Sequence, residues 1–352
     1  MTMGGQGWVA GLIGDEQIAS QFGDAAQFAS FARFEQALIA GLAEAGRIEL
    51  PDASRLISLI ESFEPDRKKI ALAAVRDGVP IPDYVRQLRA HVSGIGSDLI
   101  HHGATSQDLL DTATVEALAR ITDLLSERLD TLLDNLAALE ARDGANTLQA
   151  VTRMQPALDF HVGDRLAGWR RPLEQLRDRL PDLRHQTEIL QFGGAVGNLQ
   201  ALGADAETVA NTVAHKLGLR WPGHGWHSAR GPFVHYAGWL CELSGALGKI
   251  GQDVALMALR GESDIRLSGG GASSAMPHKH NPIAAERLVA LACFNATQIS
   301  AMHQAQIHEM ERSGAAWMLE WMVLPQICEA TGAGLVTASG LLQSIQRLGT
   351  PS

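Results

Sequence analysis

Three long stretches of helix-spaced apolar residues constrain this chain more than any other feature. From residue 112 to about residue 142, Val115, Leu118, Thr122, Leu125, Leu129, Leu132, Leu136 and Leu139 recur at steps of three and four. That is an a/d-like seam over about 30 residues, or roughly 45 Å of helix. A second stretch, residues 233–259, carries Ala237, Leu240, Leu247, Ile250 and Val254 at similar spacing, and a third runs from Pro282 to about Met310. Long helices separated by connectors rich in Gly or Pro predict an all-α bundle. No segment sustains period-two alternation with hairpin turns, so no sheet is expected beyond a small ribbon. The first seam is more apolar than one exposed helix needs, which predicts packing against further copies of the chain.

Ahead of that seam, residues 14–46 read as helices, with Asp15 or Asp24 as caps and Phe28, Phe31, Phe34 and Leu38 on one face, ending at Gly46. Two shorter helices opened by Pro-Asp follow and close near Gly78. In VPIPDYVRQLRAHV two prolines should force extended backbone before another helix. The expected division is an N-terminal helical domain over 1–111, the bundle over 112–345 and a tail over 346–352.

Composition narrows the function. Apolar residues make up 46% and charged residues 19% of 352, enough to bury a sizeable core. A net charge of −10, with no stripe of Lys or Arg, argues against a nucleic-acid partner. Cys241, Cys293 and Cys328 are widely spaced in apolar segments, which suggests neither a disulfide framework nor a zinc knuckle and fits a reducing cytoplasm. The N-terminal WVAGLIG lacks a basic flank and a cleavage pattern. No apolar run approaches the roughly 18 residues that span a bilayer, so no membrane partner is expected.

Candidate functional residues fall in separate clusters. His101-His102-Gly103-Ala104-Thr105-Ser106-Gln107-Asp108 leads into the first long helix, where free N–H groups favour an anion. The plain alternative is that Ser106 or Asp108 is only an N-cap. Thr152-Arg153-Met154-Gln155 could clamp a carboxylate through Arg153 with Gln155 beside it, although a loop arginine is commonly just solvated. In the stretch from Trp221 to Arg230, His224 and His227 lack the companions a metal site needs. Ordinary loop packing takes the larger share there, with Arg230 as the favoured anion contact.

The most unusual stretch is SGGGASSAMPHKHNPIAAE, residues 268–286, a Gly-rich loop tied by Pro282 to the third long helix. Ser273 is a candidate proton-transfer group, and Lys279 and Asn281 could hold a carboxylate and its developing charge. Met276 argues against a merely solvated loop. The order of glycines and lysine is not that of a nucleotide-binding loop.

Residues 273–286 resemble the signature S-S-x-M-P-x-K-x-N-x-x-x-x-E of the fumarase/aspartase superfamily, with every fixed position matched. HHGATSQDLLDTA, LQFGGAVGNLQALG and HEMERSGAAWMLEW look most like its 3-carboxy-cis,cis-muconate cycloisomerase branch, and the resemblance covers roughly residues 10 to 345. It implies a homotetramer built on a bundle of long helices, with active sites shared between subunits, no cofactor and no metal. It implies a small tricarboxylate substrate, with Ser273, Lys279 and Glu286 as catalytic residues. His101, Thr105, Ser106, Gln107 and Asn281 are implied as substrate contacts, and Arg153, Gln155, Arg230, Ser274 and Met276 stand beside them as candidate contacts read from the clusters themselves. Where the lyases of the superfamily read T-H-x-Q, this chain has Arg153 in place of the histidine. An amine or hydroxide leaving group needs a general acid, whereas a carboxylate closing a lactone does not. Arg153 is therefore expected to hold a substrate carboxylate and to pair with Glu286. Many relatives carry a C-terminal helical domain after the bundle, and this chain is expected to lack it. The alternatives are a fumarate-releasing lyase, such as adenylosuccinate lyase, and an inactive helical scaffold.

Overall fold

The protein is described by a computed structural model over residues 7–94, 96–271, 276 and 280–351. Short helices come first: α1 (Trp8–Ile13), α2 (Glu16–Ala19), α3 (Asp24–Glu44), α4 (Leu50–Glu61), α5 (Arg67–Asp77) and α6 (Ile81–Val92). Then come α7 (Ser106–Asp143), β1 (Thr147–Thr152), β2 (Gln155–His161), α8 (Val162–Asp178), α9 (Leu180–Thr187) and α10 (Ala206–Leu217). The chain closes with α11 (Gly231–Arg260), β3 (Ile265–Leu267), α12 (Ile283–Gln304), α13 (Gly314–Gln343) and β4 (Ile345–Leu348). The all-α expectation holds, and the strands form only two antiparallel ribbons, β1 with β2 and β3 with β4. No helix among the described residues is long and apolar enough to cross a membrane.

The seam of α7 is buried along its length, from Val115 through Leu125, Leu129 and Leu132 to Leu139, against α8, α11 and α13. Helices α11 and α12 approach closely because Gly248 and Gly251 face Ala292, Ala285 and Leu288. A methyl group on Gly248 would lie 2.6 Å from the Ala292 side chain. Asp15 caps α2 by accepting from the Ile18 N–H, while α3 begins at Asp24 itself. Gly78 ends α5 in the left-handed region at φ 76°.

Other details differ from expectation. Pro80 is helical rather than extended, because Pro82 sits within the first turn of α6, where its missing N–H costs nothing. Helix α13 is long and gave no periodic signal, since apolar side chains cover nearly all its faces. The second core joins residues of α3 to α6 and the first turns of α7 to Leu190, Phe192 and Val209–Ala214 from later in the chain, so it does not end at residue 111. In the segment after α13, Leu348 is buried, and Thr350 exchanges backbone hydrogen bonds with Thr147.

The long helices share two ends. Arg230, just before α11, binds Asp111 on the first turns of α7, and Arg312, just before α13, binds Gln107. At the opposite end Arg260 approaches Gln149, Gly349 donates to Asp264, and Asn146 donates to Leu348. A helix of 38 residues separates these ends by about 57 Å.

Candidate active site

At the first end, Thr105 is the N-cap of α7 and its backbone N–H donates to Asp108 at 2.9 Å. Asp108 also accepts from the N–H groups of Gly193 and Gly194, both at 2.9 Å, and pairs with His227 Nε2 at 2.7 Å. The turn before α7 is thereby fastened to the Gly193–Gly197 loop. Gly103 and Ala104 share with Gly194, Ala195, Asn198 and Gln200 the lining of a cavity of about 330 Å³. Ser106 is half-buried at the first turn of α7. His101, at φ 61°, is held through its backbone N–H and Nδ1 by the buried Glu35, each at 2.8 Å.

Beneath this turn lies a charged core. Arg230 is 1% exposed and every N–H of its guanidinium is taken. It donates to both oxygens of Asp111, both oxygens of Glu320 and the His227 carbonyl. Its expected role as an anion contact is therefore corrected: with no donor left and no exposure, it braces α7, α11 and α13 together. Gln107 is corrected in the same way. Its amide donates to Asp111 and the His227 carbonyl, its oxygen accepts from Arg312 at 2.8 Å, and the side chain is buried, so neither of its N–H groups is left for a ligand.

Burial works to raise the Asp111 carboxyl, but Arg230, with hydrogen bonds from Gln191 and Trp317, keeps it below the usual range. Burial raises Glu320 to about 7, only partly offset by Arg230 and reinforced by the charge of Asp111. One guanidinium thus serves two carboxylates, and Glu320 is the one that takes a proton. Burial and the nearby Arg230 lower the pKa of His308, which accepts from the Ser313 N–H.

The other candidates lie at the opposite end. Arg153 and Met154, at φ 50° and 65°, form the two-residue turn of the β1–β2 hairpin, where a primed turn needs positive φ at both positions. Arg153 and Gln155 are exposed. Gly271 and Asn281 pair through two backbone hydrogen bonds of 2.9 and 3.0 Å, which close the feet of the Gly-rich loop. Met276 is 42% exposed. Ser273, Ser274 and Lys279 lie outside the described residues. Glu286 is exposed on the first turn of α12, and no ion pair joins it to Arg153 among the described residues of one chain. A cavity of about 750 Å³ opens beside Gly269, Gly270, Gly271 and Asn281. Among the described residues no group of His, Cys, Asp or Glu is arranged to hold a metal.

Sequence reasoning missed Asp108, Asp111, His227, Arg312 and Glu320 as organisers of the first end. Asp108 and Asp111 stand three residues apart on one helical face and could have been flagged as a buried pair. Their partners Gly193 and Arg230, 85 and 119 residues away, left no local signal.

The long-helix bundle, with a fastened turn at one end and a Gly-rich loop at the other, places this chain in the fumarase/aspartase class of helical enzymes. The Lyase family profile matches residues 85–297, and the chain belongs to that family. It is 33% identical to 3-carboxy-cis,cis-muconate cycloisomerase of Pseudomonas aeruginosa over 331 residues, covering 92% of this chain and 72% of that protein. The crystal structure of 3-carboxy-cis,cis-muconate lactonizing enzyme from Pseudomonas putida superposes with a TM-score of 0.87 at 30% identity, covering 96% of this chain and 76% of that one. That of a fumarate lyase from Mesorhizobium sp. BNC1 gives 0.88 at 27% identity, covering 96% and 76%.

Proposed function

We propose that the chain is a cytoplasmic, cofactor-independent cycloisomerase that closes 3-carboxy-cis,cis-muconate to 4-carboxymuconolactone during aromatic degradation. The reading rests chiefly on the likeness to 3-carboxy-cis,cis-muconate cycloisomerase over 92% of the chain, joined to Arg153 at the place of the lyase histidine. A substrate carboxylate oxygen forms the new C–O bond as one C=C π bond breaks. The electron pair moves to the carbon beside another carboxylate, and that carbon takes up a proton. No group leaves, so no general acid is required for departure. Ser273 supplies the proton in this scheme, and Lys279 and Asn281 steady the dianion, the kind of electrostatic contribution that commonly weighs most.

The proposed enzyme is a homotetramer with shared sites. Thr105 and Ser106 stand at one end of α7, while Arg153 and Asn281 stand at the other, so groups meant for one substrate must come from different copies. Val151, Met154 and Leu158 on the exposed hairpin, with 36%, 69% and 79% of their surface open, offer apolar area to such copies. Three free cysteines fit a reducing compartment.

Adding 3-carboxy-cis,cis-muconate to the purified protein and following its ultraviolet diene absorbance tests the activity. The absorbance should fall as lactone appears. The likeness to a fumarate lyase makes adenylosuccinate and argininosuccinate the necessary controls, and fumarate release from either, with the diene untouched, would replace this reading.

A further inference from the structure

Arg287 follows Glu286 on α12, and its guanidinium has no hydrogen-bond or ion-pair partner among the described residues; its Nε is buried. Burial lowers its pKa, and Asp15 is the charge that opposes this. Asp15, however, is already engaged by Arg128 and by the Ile18 N–H. A part-buried cation left without a counter-ion is costly, and its cost falls when an anion reaches it.

The anion has somewhere to sit. Arg287 lines the cavity of about 750 Å³, whose walls include Leu12, Ile265, Leu267, Ile283, Val336 and Leu341. That volume lies within the range of about 300–1,000 Å³ usual for small-molecule pockets, which are mainly apolar with few polar anchors. Among the described residues, the other charged or titratable side chains on the lining are Glu262 and His280. Among the described walls one guanidinium faces the repelling Glu262, which favours a single carboxylate over three. One carboxylate on an aromatic or branched aliphatic body matches both Arg287 and the apolar part of the described lining.

We propose that this cavity binds a small monocarboxylate with an apolar body, its carboxylate on Arg287 and its body against Ile283, Val336 and Leu341. The ligand differs in class from the proposed substrate, and its body lies beside Gly271 and Asn281, the paired feet of the Gly-rich loop.

Calorimetric titration of the full assembled protein with benzoate tests this, with benzamide as the uncharged analogue and tricarballylate as the trianion. Benzoate should bind at millimolar concentration or below, and benzamide and tricarballylate about tenfold more weakly or worse. Arg287→Gln should weaken benzoate by about tenfold or more. Gly340→Leu should block it as well. Gly340 lines the cavity, and an added Cβ there meets nothing within 4 Å, so the fold should survive. Absence of benzoate binding, or unchanged binding in both variants, would overturn the proposal. So would a variant that splits the oligomer and binds benzoate only after splitting, because a second copy would then fill the cavity. Titration needs no turnover, so failure here is separate from failure of the proposed activity.

Discussion

Replacing Arg230 by Met is the sharpest test of how the first end is built. The substitution keeps much of the apolar stem but strands Asp111 and Glu320, which are 1% and 2% exposed, without their shared cation. Removing one partner of a buried ion pair costs about 3–5 kcal/mol. The guanidinium also lies 5.0 and 4.9 Å from the ring centres of Trp226 and Phe233, a further loss of roughly 0.5–2 kcal/mol that will not simply add. For a chain of this length the unfolding entropy makes 3–5 kcal/mol worth about 4–7 °C in melting temperature. Without Arg230 both carboxyls should have raised pKa values, so the variant should regain stability as pH falls and they become protonated. Thermal melts by circular dichroism at pH 8 and pH 5.5 read both effects. A loss under about 1 kcal/mol, or the same loss at both pH values, would refute the stranded-charge reasoning.

Further expectations concern neighbouring groups. Glu320, raised to about 7 from an ordinary 4.5, binds more protons folded than unfolded between those values. Its contribution is therefore present below about pH 4.5 and lost as pH rises through 7, and Glu320→Gln should flatten that part of the stability profile in pH-resolved melts. Gly332→Ala should loosen α2, because the new methyl would strike Ile18 and come within 2.6 Å of Asp15 and 2.9 Å of Arg128. A cost of about 1–3 kcal/mol and faster proteolysis near residue 20 are expected. Ser273→Ala should lower turnover far more than substrate affinity, as read by kcat and KM on the muconate; unchanged turnover would remove Ser273 from the scheme.

The sequence showed helices wherever one face is apolar and the other polar. The seam of α7 was legible because Leu125, Leu129, Leu132 and Leu136 alternate with charged neighbours, and α11 for the same reason. Helix α13 was not, since Leu324, Ile327, Cys328, Ala330 and Leu335 bury several of its faces and no period survives. At the candidate site the motifs carrying Thr105, Arg153 and Asn281 could be read as separate clusters. Their separation along a helix of about 57 Å could not, because it depends on which helix ends meet. Arg230 shows the same limit from another side. A loop arginine between glycine-rich segments reads as an anion contact, and only tertiary structure brings Asp111 and Glu320 to consume its donors.

In the proposed enzyme one active site draws on opposite ends of different copies. Mixing two variants tests it most directly: Ser106→Ala at the start of α7 and Ser273→Ala on the Gly-rich loop, unfolded together and refolded, then assayed by loss of muconate diene absorbance. Each variant alone should be impaired, and the mixture should recover activity, since some hybrid sites receive both intact groups. A mixture no more active than its two parents would contradict the shared site.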